Sequence, residues 1–185
     1  MSSGNGASTE IRLGGVGGQG IALAGTLLGK AAALFDGKEA VFTQTYGPEA
    51  RGGASRADII IDDTPIAYPF VTRPNILAVL FQEAYEKFRP QLLPDGLLVV
   101  EHDLVSLRDD DAAAIRLPAI RIAEELGNKL AANIVLLGYL IGASEVVSRD
   151  AMEEAIRATV RPQHLDLDLR ALDAGIARAA GAVSD

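Results

Sequence analysis

A glycine-rich segment near the start of the chain has the residue types and spacing of an anion-binding turn. Residues 11–20 (IRLGGVGGQG) begin as a short apolar strand and end in closely spaced glycines. Gly15, Gly17 and Gly20 match the dinucleotide-binding pattern G-x-G-x-x-G. Glycine permits positive φ and close approach of a ligand, and the helix that follows presents N–H groups at the positive end of its dipole. The chemistry indicated is binding of an anionic group such as a phosphate.

The same pattern leaves its ligand open. A nicotinamide cofactor requires an acidic residue about 20 residues further on, at the end of the next strand, to hold the ribose. That strand, predicted at residues 39–45, ends in Thr43, Gln44 and Thr45. Ordinary NAD binding is therefore disfavoured, and two interpretations remain: glycines that serve strand-to-helix packing, or a turn for another phosphate-bearing ligand.

A second segment, residues 43–56 (TQTYGPEARGGASR), predicts an ordered loop. Pro48 and the Gly52-Gly53 pair frame one acidic residue and an arginine, which is typical of a structured turn. Arg51 can form a bidentate contact with a carboxylate or phosphate, and Glu49 can orient it or pair across an interface. A solvated loop with an internal Glu49–Arg51 contact fits these residues equally well.

Composition limits the class of protein. The chain has 185 residues with 49% hydrophobic content, the size of one domain with a real core. The net charge is −8 with scattered positive residues, which excludes a basic face for nucleic acid. We expect residues 1–10 to be a mobile tail without signal-peptide features and residues 11–185 to form the domain. The richest apolar run, LAANIVLLGYLIGA, is too short to span a membrane, so we expect a cytoplasmic protein without membrane contact.

The chain offers little for metal or covalent chemistry. It contains no cysteine, hence no disulfide and no thiolate ligand for zinc or an iron–sulfur cluster. Its two histidines, His102 and His164, stand far apart, and we interpret them as a strand-end and a helix-terminal residue. There is no nucleophile elbow, no P-loop and no magnesium–thiamine diphosphate motif. We therefore assign no catalytic residue and no metal ligand.

Strand-like and helical segments alternate along the chain. Strands are predicted at residues 58–61, 75–81, 97–101 and just before Pro118, and the first is expected to form a hairpin-like excursion from the main sheet. Helices are predicted to begin after the glycine turn, at residue 82, after Pro118, after a break at Gly127-Asn128 and after an N-cap at Ser148. A last helix is predicted over residues 167–181. The acidic run at 109–111 is expected to be a solvated loop. The fold class predicted is a single α/β domain with an open, mostly parallel, Rossmann-like sheet and helices on both faces.

The two glycine segments together identify a family resemblance. GGVGGQGIALAG followed by TQTYGPEARGGASRADIIID closely resembles the gamma subunit, or gamma-type domain, of the 2-oxoacid:ferredoxin oxidoreductases. The resemblance continues through DTPIAYPFVTRPNILAVLFQEAYEKF and NIVLLGYLIGASEVVSRDAMEEAI and covers nearly the whole chain after residue 10. Matching residues in the two motifs are the site that it implies: Gly15, Gly17, Gly18, Gln19, Gly20, Gln44, Tyr46, Gly47, Pro48, Glu49, Arg51, Gly52, Gly53 and Ser55.

The resemblance implies a subunit of a hetero-oligomeric enzyme. The family reaction is oxidative decarboxylation of a 2-oxoacid with coenzyme A to acyl-CoA and CO₂, with electrons passed to ferredoxin or a related acceptor. It places thiamine diphosphate, Mg and [4Fe-4S] clusters on the thiamine-binding and ferredoxin-like partner chains. The gamma-type chain would contribute structure and coenzyme A binding and would not be active alone. The residues of the second motif, TQTYGPEARGGASR, favour the members of the family that have separate subunits and do not use pyruvate. They do not identify the 2-oxoacid.

Two alternatives remain at this point. One is a self-contained Rossmann-type nucleotide-binding protein. Against it, this sequence lacks an acidic residue to hold the ribose and a set of residues for acid–base catalysis. The other is a scaffold whose glycines serve packing only.

Overall fold

The computed structural model describes residues 8–45 and 53–182. Its strands are β1 (Thr9–Gly15), β2 (Glu39–Thr45), β3 (Ser55–Asp62), β4 (Ile76–Val79), β5 (Leu97–Glu101) and β6 (Ile115–Leu117). Its α-helices are α1 (Ile21–Lys30), α2 (Gln82–Phe88), α3 (Ala119–Glu125), α4 (Ala132–Ser144), α5 (Arg149–Thr159) and α6 (Pro162–Ala182). A π-helical turn, Ala31–Phe35, extends α1, and short 3₁₀ turns follow α2 and precede α4. Because β1 begins at Thr9, regular structure starts two residues before the predicted domain boundary.

The six strands form one sheet in the order β2-β3-β1-β4-β5-β6. β1, β4, β5 and β6 pair in parallel, whereas β3 pairs antiparallel with both β1 and β2. Every strand except β3 therefore runs in the same direction. The prediction of a mostly parallel α/β sheet is confirmed.

Strand β3 lies inside the sheet, so the predicted hairpin-like excursion is wrong. It does pair antiparallel with β2, but it also separates β2 from β1. β2 consequently stands two strand spacings from β1, roughly 10 Å. In a dinucleotide-binding unit the strand after the glycine helix lies beside the first strand, and its terminal acid reaches the ribose. Here neither the position of β2 nor its last residues meet that requirement.

Alternate strand residues point into two separate cores. On one face, Ile11 and Leu13 pack with α1, α3, α4, α5 and α6. On the other face, Leu77 and Val79 pack with α2 and the segment that follows β5. Helices thus cover both faces, as predicted, but very unequally.

A buried ion pair crosses β1 and β3 on the α2 face. Arg12 and Asp58 are 1% and 4% exposed. The guanidinium donates to both carboxylate oxygens, at 2.7 and 2.9 Å, and to the Val71 carbonyl oxygen at 2.9 Å. It also donates to Gln91 Oε1 and lies 5.5 Å from the centre of the Phe88 ring. Arg12 therefore joins two strands, the segment before β4 and the end of α2.

Helices α4 and α6 cross at a contact made of glycines. A Cβ added at Gly138 would lie 2.1 Å from the Leu172 carbonyl oxygen, and one at Gly175 would lie 2.2 Å from the Val135 carbonyl oxygen. The two backbones therefore touch directly. α6 begins at Pro162, five residues before the predicted start, because proline is well suited to the first turn of a helix. The apolar helix α4 is covered by α6, α3 and α1 of its own chain, in one core with residues of the sheet. No helix in residues 8–45 or 53–182 is long and apolar enough to cross a bilayer.

Candidate ligand-binding site

The glycine turn lies at the edge of the sheet where the parallel strands end. β1 ends at Gly15 and continues through the turn into α1, which leads away to β2. The neighbouring β4 ends at Val79 and continues into α2, which leads to β5 on the other side. The direction of the strand connections therefore reverses between β1 and β4. Open α/β sheets bind their ligands in the crevice at such a switch point.

Gln19 holds the turn in place. Its Oε1 accepts a hydrogen bond from the Val16 N–H at 2.9 Å, and its Nε2 donates to the Leu80 carbonyl oxygen at 3.1 Å. The backbone N–H of Gln19 also donates to the Val16 carbonyl oxygen at 3.2 Å. One side chain thus connects the turn after β1 with the end of β4. A rigid turn of this kind needs little reordering when it binds a ligand.

The glycines of the motif divide into two groups. A Cβ at Gly14 would contact α2, with Ala84 Cβ at 3.1 Å, and one at Gly15 would lie 2.6 Å from Gln19 Oε1. Gly17 and Gly18 have no atom within 4 Å of an added Cβ, and Gly18 has φ +90°. The packing interpretation of the motif therefore holds for Gly14 and Gly15, whereas Gly17 and Gly18 face open space.

Gly20 connects the turn to α4. It is the N-cap of α1 with φ +71°, and its carbonyl oxygen accepts a hydrogen bond from Asn133 Nδ2 at 3.1 Å. Asn133 is 3% exposed within an otherwise apolar helix. Sequence reasoning missed this residue, although a lone amide in the run AANIVLLG was a usable signal for a buried polar contact.

We expect Gly20→Ala to destabilise the protein by about 2–3 kcal/mol, because left-handed strain and overpacking add. The added Cβ would lie 2.5 Å from Asn133 Nδ2. Gly37→Ala is the matched control, since Gly37 also has positive φ, +64°, but has no atom within 4 Å of an added Cβ. Equilibrium unfolding in urea should give a cost of about 1 kcal/mol for this control. An equal loss of unfolding free energy in the two variants would show that overlap with Asn133 does not contribute to the destabilisation.

A cleft of about 450 Å³ opens beside Gly17 and Gly18. Its lining is mostly apolar and includes one acidic and one basic side chain: Gly17, Gly18, Gln19, Leu80, Leu104, Ile120, Glu124, Lys129, Leu130 and Ala132. The residues from Leu80 onward were not among the predicted site residues. They come from loops and helices distant in sequence, which no local motif marks. We refer to this space as the first cleft.

A buried acid supports one wall of the first cleft. Glu101, at the end of β5, is fully buried and accepts from the Ile120 N–H at 3.2 Å and the Asp103 N–H at 3.4 Å. Burial raises the pKa of its carboxyl group above the ordinary value, against the effect of these hydrogen bonds. Glu101 therefore fixes the start of α3, whose Ile120 lines the cleft.

A second acid, Asp111, is buried as well, so the expectation of a solvated acidic run is wrong for it. It is 4% exposed and accepts hydrogen bonds from Tyr85 Oη and, at 2.6 Å, from Arg89 Nε. Burial acts to raise the pKa of this carboxyl group, but the hydrogen bonds from Arg89 and Tyr85 outweigh it and lower the pKa. Its neighbours Asp109 and Asp110 are exposed. Both partners of Asp111 lie on or just after α2, so the acid anchors the segment after β5 to that helix.

The described part of the second motif lies along the same edge of the sheet. Ser55 pairs with Gly15 across β1 and β3, and Gln44 pairs with Ala57 across β2 and β3. The Ala54 N–H donates to Glu83 Oε1 at 3.3 Å, so Glu83 ties Gly53 and Ala54 to the start of α2. None of Gln44, Gly53 and Ser55 lines the first cleft. The other predicted residues of this motif lie outside the described residues: Tyr46, Gly47, Pro48, Glu49, Arg51 and Gly52.

Metal binding has no support in the described ranges, 8–45 and 53–182. No three histidine or acidic side chains there are grouped so that they could hold a metal ion. His102 follows β5 and His164 lies in the first turn of α6, as predicted for a strand-end and a helix-terminal residue.

Comparison with known proteins gives one consistent result. The family model for pyruvate ferredoxin/flavodoxin oxidoreductase matches residues 10–178. The 2-oxoglutarate synthase subunit KorC of Methanocaldococcus jannaschii is 50% identical over 155 residues, covering 82% of this chain and 83% of that protein. KorC of Methanothermobacter thermautotrophicus is 45% identical over 174 residues, covering 90% and 92%. The pyruvate synthase subunit PorC of that second organism is 32% identical over 154 residues, covering 81% and 84%.

A solved structure agrees with these relatives. The gamma subunit of a keto/oxoacid ferredoxin oxidoreductase from Geobacter sulfurreducens superimposes with a TM-score of 0.84 at 38% identity, covering 94% of this chain and 99% of that one. The resemblance seen in the two glycine motifs is confirmed, and this chain belongs to the pyruvate ferredoxin/flavodoxin oxidoreductase family, among its gamma subunits.

Proposed function

We propose that this chain is the gamma subunit of a 2-oxoglutarate:ferredoxin oxidoreductase. The complex would convert 2-oxoglutarate and coenzyme A to succinyl-CoA and CO₂ and pass the electrons to ferredoxin or a related acceptor. The assignment of 2-oxoglutarate as the substrate rests on a comparison of two subunits from one organism. The M. thermautotrophicus subunit for 2-oxoglutarate is 45% identical to this chain, whereas the pyruvate subunit is 32% identical.

The redox chemistry of this complex would lie on the partner subunits. The chain has no cysteine to ligate an iron–sulfur cluster. Its sequence also lacks the magnesium–thiamine diphosphate motif. Thiamine diphosphate, Mg and [4Fe-4S] clusters would therefore be bound by the thiamine-binding and ferredoxin-like chains, and this subunit would act only within the assembly. We expect the complex in the cytoplasm.

Coenzyme A would bind at the glycine turn. Gly17 and Gly18 leave space for close approach of a ligand, and the first cleft beside them offers an apolar lining for a pantetheine arm. A cleft of about 450 Å³ lies within the usual range for small-molecule sites. The second motif would face the assembled active site, and its described residues Gln44 and Ser55 lie along the same edge of the sheet. The site residues predicted in both motifs remain part of this proposal.

The test is purification of the complex from its native host through an affinity tag under anaerobic conditions. We expect larger chains, iron and thiamine diphosphate to accompany this subunit. Coenzyme A-dependent dye reduction should then show kcat/KM for 2-oxoglutarate at least about tenfold above that for pyruvate, 2-oxoisovalerate or indolepyruvate. The binding site of one substrate discriminates against the others through buried polar partners that the wrong acid leaves unpaired. A preference for pyruvate would overturn the assigned substrate. Purification of this chain without any partner chain would overturn the proposal that it belongs to a complex.

A further inference from the structure

The connection between β3 and β4 carries an exposed pair of aromatic side chains. It covers residues 63–75 and contains no helix or strand. Tyr68 and Phe70 are 62% and 56% exposed, and no other aromatic side chain in residues 8–45 or 53–182 is more than half exposed. Their rings meet edge to face, with centroids 5.5 Å apart and planes at 68°. We refer to residues 63–75 as the aromatic loop.

Hydrogen bonds to β1 hold the aromatic loop in place. The Arg12 guanidinium donates to the Val71 carbonyl oxygen at 2.9 Å, and Glu10 Oε2 accepts from the Thr72 N–H at 3.2 Å. The Glu10 N–H also donates to Asn75 Oδ1 at 2.7 Å. Three prolines restrict the backbone further: Pro65, Pro69 and Pro74. A loop fixed in this way presents its aromatic side chains in one arrangement, which reduces the entropy lost when a partner docks.

The chemistry of this surface is that of a protein–protein interface. Tyrosine and phenylalanine are enriched in the centre of interfaces, where a few large anchors carry most of the binding energy. Neither Tyr68 nor Phe70 lines the first cleft. Near the ends of the aromatic loop, Asp63 and Arg73 are exposed and form no ion pair with any residue that the structure describes. The surface therefore fits a partner with an apolar pocket and charged groups of both signs at its rim.

A longer relative indicates which partner covers this surface. The ketoisovalerate oxidoreductase subunit VorA of M. thermautotrophicus is 30% identical over 169 residues, and the match covers 90% of this chain but 35% of that protein. Most of VorA is therefore joined covalently to a domain like this one. In the proposed complex the equivalent partner is a separate chain, so the interface alone must hold the two together. An interface of that kind buries at least about 1,000 Å² and depends on a few central anchors.

We propose that the aromatic loop is the surface by which this subunit docks on the partner chain that corresponds to the remainder of VorA. Tyr68 and Phe70 are the anchors and enter an apolar pocket of that chain. This inference rests on the proposed function, because it takes a chain of that complex as the partner.

The first test is a competition inside the cell. A tagged variant is co-expressed with the untagged wild-type subunit and the partner chains, and the partner related to VorA is identified and quantified by mass spectrometry after anaerobic purification. Tyr68→Ser/Phe70→Ser should recover at least about tenfold less of this partner per tagged subunit than the tagged wild type does. Leu34→Ser/Phe35→Ser is the matched control and should recover the wild-type amount. Leu34 and Phe35 are also exposed, at 66% and 40%, but follow α1 and pack near α5 on the other face of the sheet.

The second test leaves both aromatic side chains in place. The chain contains no cysteine, so Ala67→Cys introduces a single thiol in the aromatic loop. Ala33→Cys is its control in the turn after α1, and both alanines are exposed. Maleimide modification of this chain is followed by mass spectrometry in the isolated subunit and in the complex. The complex should slow modification at Ala67→Cys at least about tenfold, because the docked partner excludes the reagent, and should leave Ala33→Cys unchanged.

The outcomes separate this inference from the function on which it rests. If the wild-type complex forms, equal partner recovery by the aromatic variant or an unprotected thiol at Ala67→Cys overturns the docking surface while the proposed function stands. Partner loss confined to Leu34→Ser/Phe35→Ser places the interface on the other face and also overturns it. If the isolated subunit is a dimer that already protects Ala67→Cys, the occupant is a second copy of this chain and the inference is wrong. If no partner chain accompanies the wild type, both proposals fail. Where Tyr68→Ser/Phe70→Ser does not fold, as judged by circular dichroism, the thiol measurement decides.

Discussion

Gly138→Ala is expected to destabilise the protein by about 3 kcal/mol or more, because it overpacks a contact between two backbones. The added Cβ would lie 2.1 Å from the Leu172 carbonyl oxygen and 3.1 Å from Gly175 Cα. No side-chain rotation can relieve an overlap with backbone atoms, so α4 and α6 must move apart. The usual gain in helix propensity from glycine to alanine, about 1 kcal/mol, is too small to compensate. Urea unfolding followed by circular dichroism measures the loss.

Two controls place this effect at the helix contact. Gly181→Ala, also on α6, has no atom within 4 Å of its added Cβ and should be neutral or slightly stabilising. Gly142→Ala should be intermediate, since its Cβ would lie 2.9 Å from the Ala179 Cβ and 3.3 Å from Ile176 Cα. A Gly138→Ala variant as stable as the Gly181→Ala variant would disprove the close α4–α6 contact.

Removal of either partner of the Arg12–Asp58 pair is expected to cost about 3–5 kcal/mol, because the other charge is left buried. The two single variants should differ. In Arg12→Leu, Asp58 can still pair with Arg56, whose Nε lies 3.5 Å from Asp58 Oδ2. In Asp58→Leu, Arg12 keeps its positive charge and retains only neutral acceptors at Val71 and Gln91. Asp58→Leu should therefore be the more destabilising change.

The double variant Arg12→Leu/Asp58→Leu completes a thermodynamic cycle by urea unfolding. It should cost less than the sum of the single variants, because no unpaired charge remains in the core. The exposed Arg170–Asp166 pair on α6 is the control, and Arg170→Ala should change the unfolding free energy by no more than about 0.5 kcal/mol. Additive costs for Arg12 and Asp58 would contradict the coupling.

Much of the fold could be predicted from local patterns. The apolar runs that became β4 and β5, the Ser148 cap and the break at Gly127-Asn128 depend on neighbours in sequence, and all were confirmed. Short-range propensity and capping decide such features. The order of strands was beyond that reasoning. The strand at residues 58–61 was predicted, but its central place depends on pairing with β1 and on the buried ion pair between Asp58 and Arg12, 46 residues away.

The same division applies to the glycine turn and the first cleft. The glycine spacing located the turn, but contacts with α2, Gln19 and Asn133 show which glycines serve packing and which two face open space. Lys129 carries no motif, and it lines the first cleft because the chain brings the turn before α4 beside the glycine turn. Asp111 looked like a solvated acid because its partners Tyr85 and Arg89 are distant in sequence.

The amino-acid sequence by itself determined the family, the α/β class and the position of the glycine turn, because each depends on residues close together in the chain. The tertiary structure decided the place of β3 inside the sheet, the close crossing of α4 and α6, and the first cleft beside Gly17 and Gly18. These features arise from contacts between distant segments, where burial and charge pairing rather than local preference set the free energy.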